Sequence, residues 1–471
     1  MKKKYVRWTL WTIASPFILF IILCILIYLP PIQNFLVDKA AVYASEATGM
    51  NISVGRISLS FPLNLVVTNV DAASPHNDTL LSVRRLQVNV QLLPLLKKQV
   101  EVDGISLQGA TVNSNDLIHG MKLNGTLGEL FISSHGVALD PETAIVNKVL
   151  LKDTDLSLCL NDTAAADTAA SDTTYWKIIL QDIDLQNVSF ALDMPLDSLS
   201  LAASLDNAIL RDGLIDLHKS AYSLQTFRIE NGRVRYDNGK PLAADSLSSG
   251  LDPSHIALTD IGVKLDSLYY GGRNMKAIIS QFVLKERSGV EIVSATGRMV
   301  SNDKVLRVPS LKLETRDSYL ELNAAMDWNA LDFKDEGLVS ARLMADIGKP
   351  DVVRFMGSMD EKFIRQYPSE PLRIRTGIDG DLNKLKLTTL TAELPGALGL
   401  FARGELTHLT DSLLRGGDIT LEAETKDLKF VSTLAEGIEI PYGTRLEGKF
   451  TMAGTKMGTD LLLMQPEAQA V

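Results

Sequence analysis

The sequence predicts a mostly β protein that begins with two helices, of which the first crosses a membrane. Three observations predict this fold class. A charge-free apolar run lies near the N-terminus, the residues after it place apolar side chains three and four apart, and apolar and polar residues alternate from Asn51 onward. Spacing of three and four indicates a helix with one apolar face, whereas alternation indicates strands. Each segment is taken below in chain order.

The anchor is predicted from residues 1–29. Residues 1–7 form a basic segment with three lysines and one arginine, and residues 8–29 contain no charged side chain. At ~1.5 Å per residue this run is roughly 33 Å of helix, which is enough to cross a bilayer. Because basic flanks stay in the cytoplasm, we expect a single-pass inner-membrane protein whose bulk is periplasmic. A cleaved signal peptide is the alternative, but its apolar region is usually shorter, and Tyr28-Leu29-Pro30-Pro31 is a poor cleavage site.

A second, amphipathic helix is predicted over residues 30–50. Pro30-Pro31 suits its first turn, and Gly49 suits the position just after its last turn. Residues 51–471 then alternate with a period of two, apart from a helical insertion predicted at residues 350–366. At ~12 residues per strand and turn, this region would hold roughly 30–35 strands, and at ~4.8 Å per strand it would extend on the order of 150 Å. Pairs such as Asp212-Gly213 and Asn231-Gly232 are interpreted as turns between strands.

One spacing recurs four times. An apolar pair two residues apart is followed by Gly, Asp or Asn two residues on, and by another apolar residue three residues after that. The motifs begin at Ile105, Val149, Ile183 and Phe227, at intervals of 44, 34 and 44 residues. We interpret each as a strand, a tight Gly/Asx turn and the next strand. Repetition on this scale predicts an elongated array of similar units.

Composition and motifs argue against several classes of function. The net charge of −10 argues against a nucleic-acid partner, and two cysteines give no disulfide framework. No two of the six histidines lie within four residues of each other, and neither a nucleophile elbow nor a phosphate-binding loop occurs. We therefore expect no catalytic residues, no metal site and no cofactor, hence a protein that is not an enzyme.

Residues 161–174 read NDTAAADTAASDTT, a short-chained polar stretch that predicts a flexible loop. Its three Asp-Thr steps resemble the acceptor sites of a bacterial periplasmic O-glycosylation system. That resemblance implies modification at Thr163, Thr168 and Thr173. A plain Ala/Thr linker is the alternative interpretation.

The strands have more apolar face than the predicted helices can cover. Hydrophobic residues make up 46% of the chain and aromatic residues only 6%, so the excess is mainly aliphatic. An apolar sheet face must be covered by another layer. Either the sheet folds into a sandwich and buries this face, or it curls and leaves an apolar trough that a ligand fills.

The first hundred residues resemble the N-terminal part of the AsmA/TamB family, the inner-membrane subunits of translocation and assembly modules. The resemblance rests on the anchor followed by a helix ending Thr48-Gly49-Met50, and on a series of short motifs in the family's order. These are Ile52-Ser-Val-Gly-Arg-Ile57, Phe61-Pro-Leu-Asn-Leu65, Asp78-Thr-Leu-Leu81, Val88-x-Val90-x-Leu92-Leu93-Pro94-Leu95-Leu96 and Val102-x-x-Ile105-x-Leu107. Later residues resemble the family only in their repeated two-strand units.

The resemblance implies a fold and a function. It implies an elongated, curled antiparallel sheet whose apolar groove carries phospholipid between the inner and outer membranes. The alternative is a non-catalytic scaffold for outer-membrane protein insertion and secretion, with a barrel partner of the Omp85 type. The chain ends at Val471 without the C-terminal domain of TamB members, which puts that contact in doubt. We expect the groove to be lined by the alternating apolar residues of the four repeats: Ile105, Leu107, Val149, Leu151, Ile183, Leu185, Phe227 and Ile229.

Overall fold

The computed structural model describes residues 39–465 with the exception of residues 40, 43–44, 47, 61–63, 75–77, 92–101, 115–119, 139–141, 162–174, 240–249, 334–336, 357–360 and 434–439. The chain divides into two compact units, residues 1–208 and 209–471. Most described residues lie in strands and few lie in helices. The predicted mostly β class is therefore confirmed.

The first unit is one run of neighbouring strands. Strands β1 to β6 pair in sequence order and antiparallel, whereas β6 and β7 pair in parallel, with Val149 opposite Ile183. The division between the units falls within β8. The strands are β1 Asn51–Ser60, β2 Asn64–Ala73, β3 Thr79–Val90, β4 Val102–Asn113, β5 Met121–Ala138, β6 Thr143–Leu160, β7 Lys177–Met194 and β8 Leu199–Asp216.

The second unit continues as an antiparallel meander. The short strand β9 pairs with the end of β8 and with β11, and from β10 to β22 each strand pairs with the next. The strands are β9 Ala221–Leu224, β10 Thr226–Asp237, β11 His255–Gly271, β12 Asn274–Glu286, β13 Glu291–Ser301, β14 Val305–Thr315, β15 Tyr319–Asp327, β16 Leu338–Ile347, β17 Leu372–Asp381, β18 Lys384–Leu394, β19 Leu398–Thr407, β20 Gly416–Thr425, β21 Arg445–Ala453 and β22 Lys456–Met464.

The helices lie in the connections between strands. They are α1 Trp328–Leu331, α2 Lys349–Phe355 and α3 Glu361–Gln366, with 3-10 turns at Pro195–Asp197 and Val431–Thr433. Helices α2 and α3 lie within or beside the segment 350–366, for which a helical insertion was predicted. Described residues between 39 and 48 are helical and Gly49 follows them with φ +70°, while the first part of the predicted helix, residues 30–38, lies outside the described residues. None of the described helices has the length and apolar character to cross a bilayer, and the charge-free run of residues 8–29 lies outside the described residues.

Two buried clusters close the strand ends of the second unit. Phe363 of α3 packs with Tyr367 and Phe430, and this aromatic group covers the β18–β19 turn. At the opposite strand ends, Ala330 of α1 packs with Val339 and Leu382. Both clusters lie beside turns, so neither covers the middle of the sheet.

The expected strand count is wrong. The structure has 22 strands among its described residues, compared with an expectation of roughly 30–35. The reason is strand length: β5 to β8 have 18 residues each, more than the whole repeat that we assumed for a strand and its turn. Asp212-Gly213 and Asn231-Gly232 lie inside β8 and β10 and are not turns.

Candidate functional site

The apolar face of the first unit consists of rows that run from strand to strand. Directly opposite residues of paired strands share a face, so the register identifies each row. One row is Leu65, Val88, Ile105, Ile132, Val149 and Ile183. The next is Val67, Leu86, Leu107, Leu130, Leu151 and Leu185. Both rows are wholly aliphatic and cross six strands without a polar member.

The register therefore brings six of the eight predicted groove residues into two adjacent rows. Ile105, Val149 and Ile183 belong to the first row, and Leu107, Leu151 and Leu185 belong to the second. The other two, Phe227 and Ile229, lie in the second unit opposite Leu265 and Val263. The eight share the type of face that was predicted, although no bound ligand tests what that face does.

The second unit has equivalent rows. One begins at Leu311 and crosses nine strands with a single hydroxyl side chain among its members: Leu311, Leu322, Leu343, Thr376, Leu390, Ala402, Leu421, Gly448 and Leu461. The opposite face carries cross-strand ion pairs such as Lys312–Glu321, which lie in solvent. The strands of this row therefore have a mainly aliphatic face, and ion pairs such as Lys312–Glu321 lie on the other face.

Most of the aliphatic face is only half-buried. All eight predicted groove residues have intermediate exposure, and so do Leu322, Leu343 and Leu421. Within each unit, the helices that the structure describes pack at strand ends and no second layer covers the rows. The inner faces of a sandwich would be fully buried, because two sheets interdigitate there. An open aliphatic face is what these burial values describe.

The repeat motif proves to be a break inside each strand. Its Gly/Asx residues, Gly109, Asp153, Asn187 and Asn231, have φ between 49° and 63°, the left-handed region, yet lie within β4, β6, β7 and β10. At Asn231 the β10–β11 register shifts across the break, as in a bulge, whereas Gly109, Asp153 and Asn187 interrupt their strands without a register shift. The apolar spacing then lengthens from two to three, as from Leu107 to Ala110, and returns to two.

In the first unit these breaks lie at one level. The residue pairs that flank each break in the sheet register show that seven residues lie in one line across the strands. We call this line the break row: Gly55, Asn69, Arg84, Gly109, Gly128, Asp153 and Asn187. Because all seven strands are interrupted together, their register is the same before and after the row. The Asn187 side-chain amide donates to Asp153 Oδ1 at 2.9 Å, which joins the breaks of the parallel pair.

The break row has a consequence for the apolar face. Val83, Ala110 and Thr154 belong to the row just beyond it and are buried, whereas Leu127 and Val188 of the same row are half-exposed. Gly55, Gly109 and Gly128 suit this line, since a Cβ on each would press on Asn69, Arg84 or Asp153.

One buried carboxylate lies on the apolar face of the second unit, at a strand end. Glu286, opposite Leu258, accepts hydrogen bonds from the backbone N–H of Ala257 at 3.2 Å and of Ser288 at 2.5 Å. Burial raises the pKa of the Glu286 carboxyl, but the hydrogen bonds from Ser288, Ala257 and Arg287 outweigh burial and leave this pKa below its ordinary value. The group holds the β12–β13 turn against β11, which is a structural role.

Comparison with known proteins adds no family. No protein-family model matches the chain, and no curated protein matches it. The likeness to the AsmA/TamB family consequently stays a prediction from the motifs of residues 1–107.

Metal-binding groups are also missing from the described part of the chain. No three His, Cys, Asp or Glu side chains there lie close enough to hold an ion. Residues 162–174, with the predicted glycosylation sites Thr163, Thr168 and Thr173, lie outside the described residues, so that prediction stays as it was.

Proposed function

We propose that this chain is an inner-membrane-anchored periplasmic protein of outer-membrane biogenesis, and that it carries phospholipid along an elongated, curled apolar β-groove between the inner and outer membranes. The observation that carries the proposal is the continuous, half-exposed aliphatic face in each unit. A face of this kind leaves water-exposed hydrocarbon that a ligand would cover. The motifs of the first hundred residues, which resemble the AsmA/TamB family, support the same function.

The chemistry of the face suits acyl chains. Each CH₂ group taken out of water contributes ~0.8 kcal/mol, without any directional contact. The rows of the first unit extend over six strands, or five intervals of ~4.8 Å, about 24 Å in all. One leaflet of a bilayer core is about 15 Å thick, half of ~30 Å, so a lipid tail fits along such a row. A uniform aliphatic track has no polar point at which cargo would be held tightly.

The test uses photo-crosslinking side chains on both faces of the same strands. Crosslinkers at Leu185 and Ile229 are expected to capture phospholipid in cells, because both residues lie on the aliphatic face. Crosslinkers at the adjacent positions Asp184 and Arg228 face the other side and are expected to capture none. Mass spectrometry of the adducts identifies the lipid.

A charge on the aliphatic face gives the matching loss of function. Leu185→Asp is expected to remove most bound lipid from the detergent-extracted protein while the fold persists, since a half-exposed position lets water reach the carboxylate. Gln186→Asp adds the same charge to the exposed face of the same strand and is the control. If Leu185→Asp unfolds the protein and no position captures lipid, the face is a closed core, and the assembly scaffold becomes the better function.

A further inference from the structure

Two tyrosines form a stacked, exposed pair in the second unit. Tyr222 of β9 and Tyr270 of β11 are directly opposite, and their ring centroids are 6.2 Å apart with planes inclined by 29°. Their exposed fractions are 40% and 47%. Among the residues that the structure describes, the other ring–ring contacts all belong to the buried cluster around Phe363. This pair is therefore an exception in a chain whose faces are aliphatic.

The pair lies on the apolar face, at its margin. Tyr270 is opposite Met275, and two residues back Leu268 is opposite both Ala277 and Leu224. Those pairs continue the face that carries Phe227 and Ile229, because the bulges in β11 and β12 restore the alternation. The Gly271-Gly272 turn follows Tyr270 at once, so the strands end here. The rings mark the boundary between the aliphatic face and water.

Both phenol groups are available to a ligand. Neither hydroxyl has a hydrogen-bond partner among the described residues. A tyrosine combines an apolar ring with a polar tip, and such side chains concentrate where hydrocarbon meets water. An alkyl chain that lies on the apolar face and extends toward this strand end would contact the tyrosine rings before it reaches the hydroxyl groups.

Positive charge is found at the same strand end. Lys219 lies in the β8–β9 turn, three residues before Tyr222, and Arg273 lies in the β11–β12 turn, three residues after Tyr270. Arg273 is paired with Asp332 at 3.0 Å and lies over the Trp328 ring, so much of its charge is compensated. Lys219 is exposed and has no ion-pair partner in the described part of the chain. Lys219 is thus the cation available to a phosphate.

We propose that Tyr222 and Tyr270 form a subsite for the glycerol ester and phosphate of a diacyl phospholipid. The rings contact the first carbons of the acyl chains, the hydroxyls donate to ester or phosphate oxygens, and Lys219 balances the phosphate charge. The proposal rests on the proposed function, since it requires acyl chains on the aliphatic face. It assigns a binding site to the polar end of the lipid, which the aliphatic rows cannot recognise.

The test removes the hydroxyls and keeps the rings. The double variant Tyr222→Phe/Tyr270→Phe of the full chain is compared with Tyr269→Phe, a matched control whose exposed ring lies on the opposite face. Binding is measured with dioleoylphosphatidylglycerol, and separately with a long-chain alkane that has no polar group. The double variant is expected to bind the phospholipid about tenfold more weakly, because hydrogen bonds to a charged group are lost. It should bind the alkane as the wild type does.

Each other outcome has a definite meaning. Unchanged phospholipid affinity in the double variant would overturn the subsite and leave the proposed function standing. Equal weakening toward phospholipid and alkane would also overturn it, since the substitutions would then act on the apolar face as a whole and not on the polar end of the lipid. Displacement of the phospholipid by a soluble oligosaccharide would identify the pair as a sugar platform instead. If the wild type binds neither probe, the proposed function itself fails.

Discussion

Gly109 shows how a single residue sets the path of a strand. Its φ of +63° lies in the left-handed region, and the Arg84 side chain lies where a Cβ would point. The equivalent positions in other strands are Asn69, Asp153 and Asn187, all with positive φ. Asn, Asp and Gly are the residues that adopt this conformation at little cost. The breaks in these four strands are therefore encoded locally, by the residue at each one.

A pair of substitutions at Gly109 tests that encoding. Gly109→Val is expected to destabilise the first unit by about 2 kcal/mol, since a β-branched residue resists the left-handed conformation. Gly109→Asn places there the residue that the break row already has at Asn69 and Asn187, and we expect it to cost well under half as much. The midpoint of urea unfolding measures both. Equal loss in the two variants would attribute the effect to displacement of Arg84 instead of to backbone conformation.

Glu286 gives the second unit a dependence on pH. The folded-state pKa of its carboxyl lies below the ordinary value. Ionised Glu286 therefore stabilises the fold above the unfolded pKa of about 4.3, and this stability is lost as pH falls through the folded pKa. Glu286→Gln should lower the melting temperature at pH 7, corresponding to about 1–2 kcal/mol. The gap between variant and wild type should close as pH falls through the folded-state pKa of Glu286; a gap that persists in stronger acid would assign the effect to shape.

Strands and turns were only partly predictable because Gly, Asn and Asp occur both in turns between strands and at breaks within strands. Leu311, Leu313 and Thr315, followed by Leu320, Leu322 and Ala324, alternate with polar residues as strands do, and they form the β14–β15 hairpin. The Gly/Asx signal at Asn231 predicted a turn and was wrong. Such residues occupy left-handed positions in turns and in bulges alike. The distinguishing signal was present: the apolar alternation resumes on the far side after one three-residue step.

The parallel pairing of β6 and β7 was also missed. Alternation reports which face a side chain occupies and carries no information on strand direction. A parallel pair does need a connection of a dozen or more residues, whereas a hairpin needs as few as two. Sixteen residues separate Leu160 from Lys177, which is the signal that would have suggested it. We interpreted that stretch by composition alone.

The candidate site was predictable as a type of face but not as an arrangement. The period of two identified Ile105, Leu107 and their equivalents as members of one face. Val149 is paired with Ile183, 34 residues further on, and with Ile105 only through Ile132 of β5. A single sequence does not contain that register. The Tyr222–Tyr270 pair was missed for the same reason, since 47 residues separate its members.

At the scale of the whole molecule, the orientation in the membrane decides whether the proposed function is possible. The basic residues 1–7 and the charge-free run that follows predict a cytoplasmic N-terminus. An alkaline phosphatase reporter fused after Gly49 should be active, whereas a reporter that works only in the cytoplasm should be silent there. A fusion before Trp8 serves as the reverse control. The opposite pattern would place the aliphatic faces in the cytoplasm and end the proposal.

The break row also divides each strand of the first unit into two phases of alternation. Before the row, the apolar face takes residues of one parity, odd or even; after it, the apolar face takes the other parity, and all seven strands change together. Loss of one residue within β7 beyond the break, such as Ser189, would turn Phe190 and Leu192 to the charged side. Over evolutionary time, insertions and deletions should therefore collect in the connections, while strand interiors vary almost entirely by substitution.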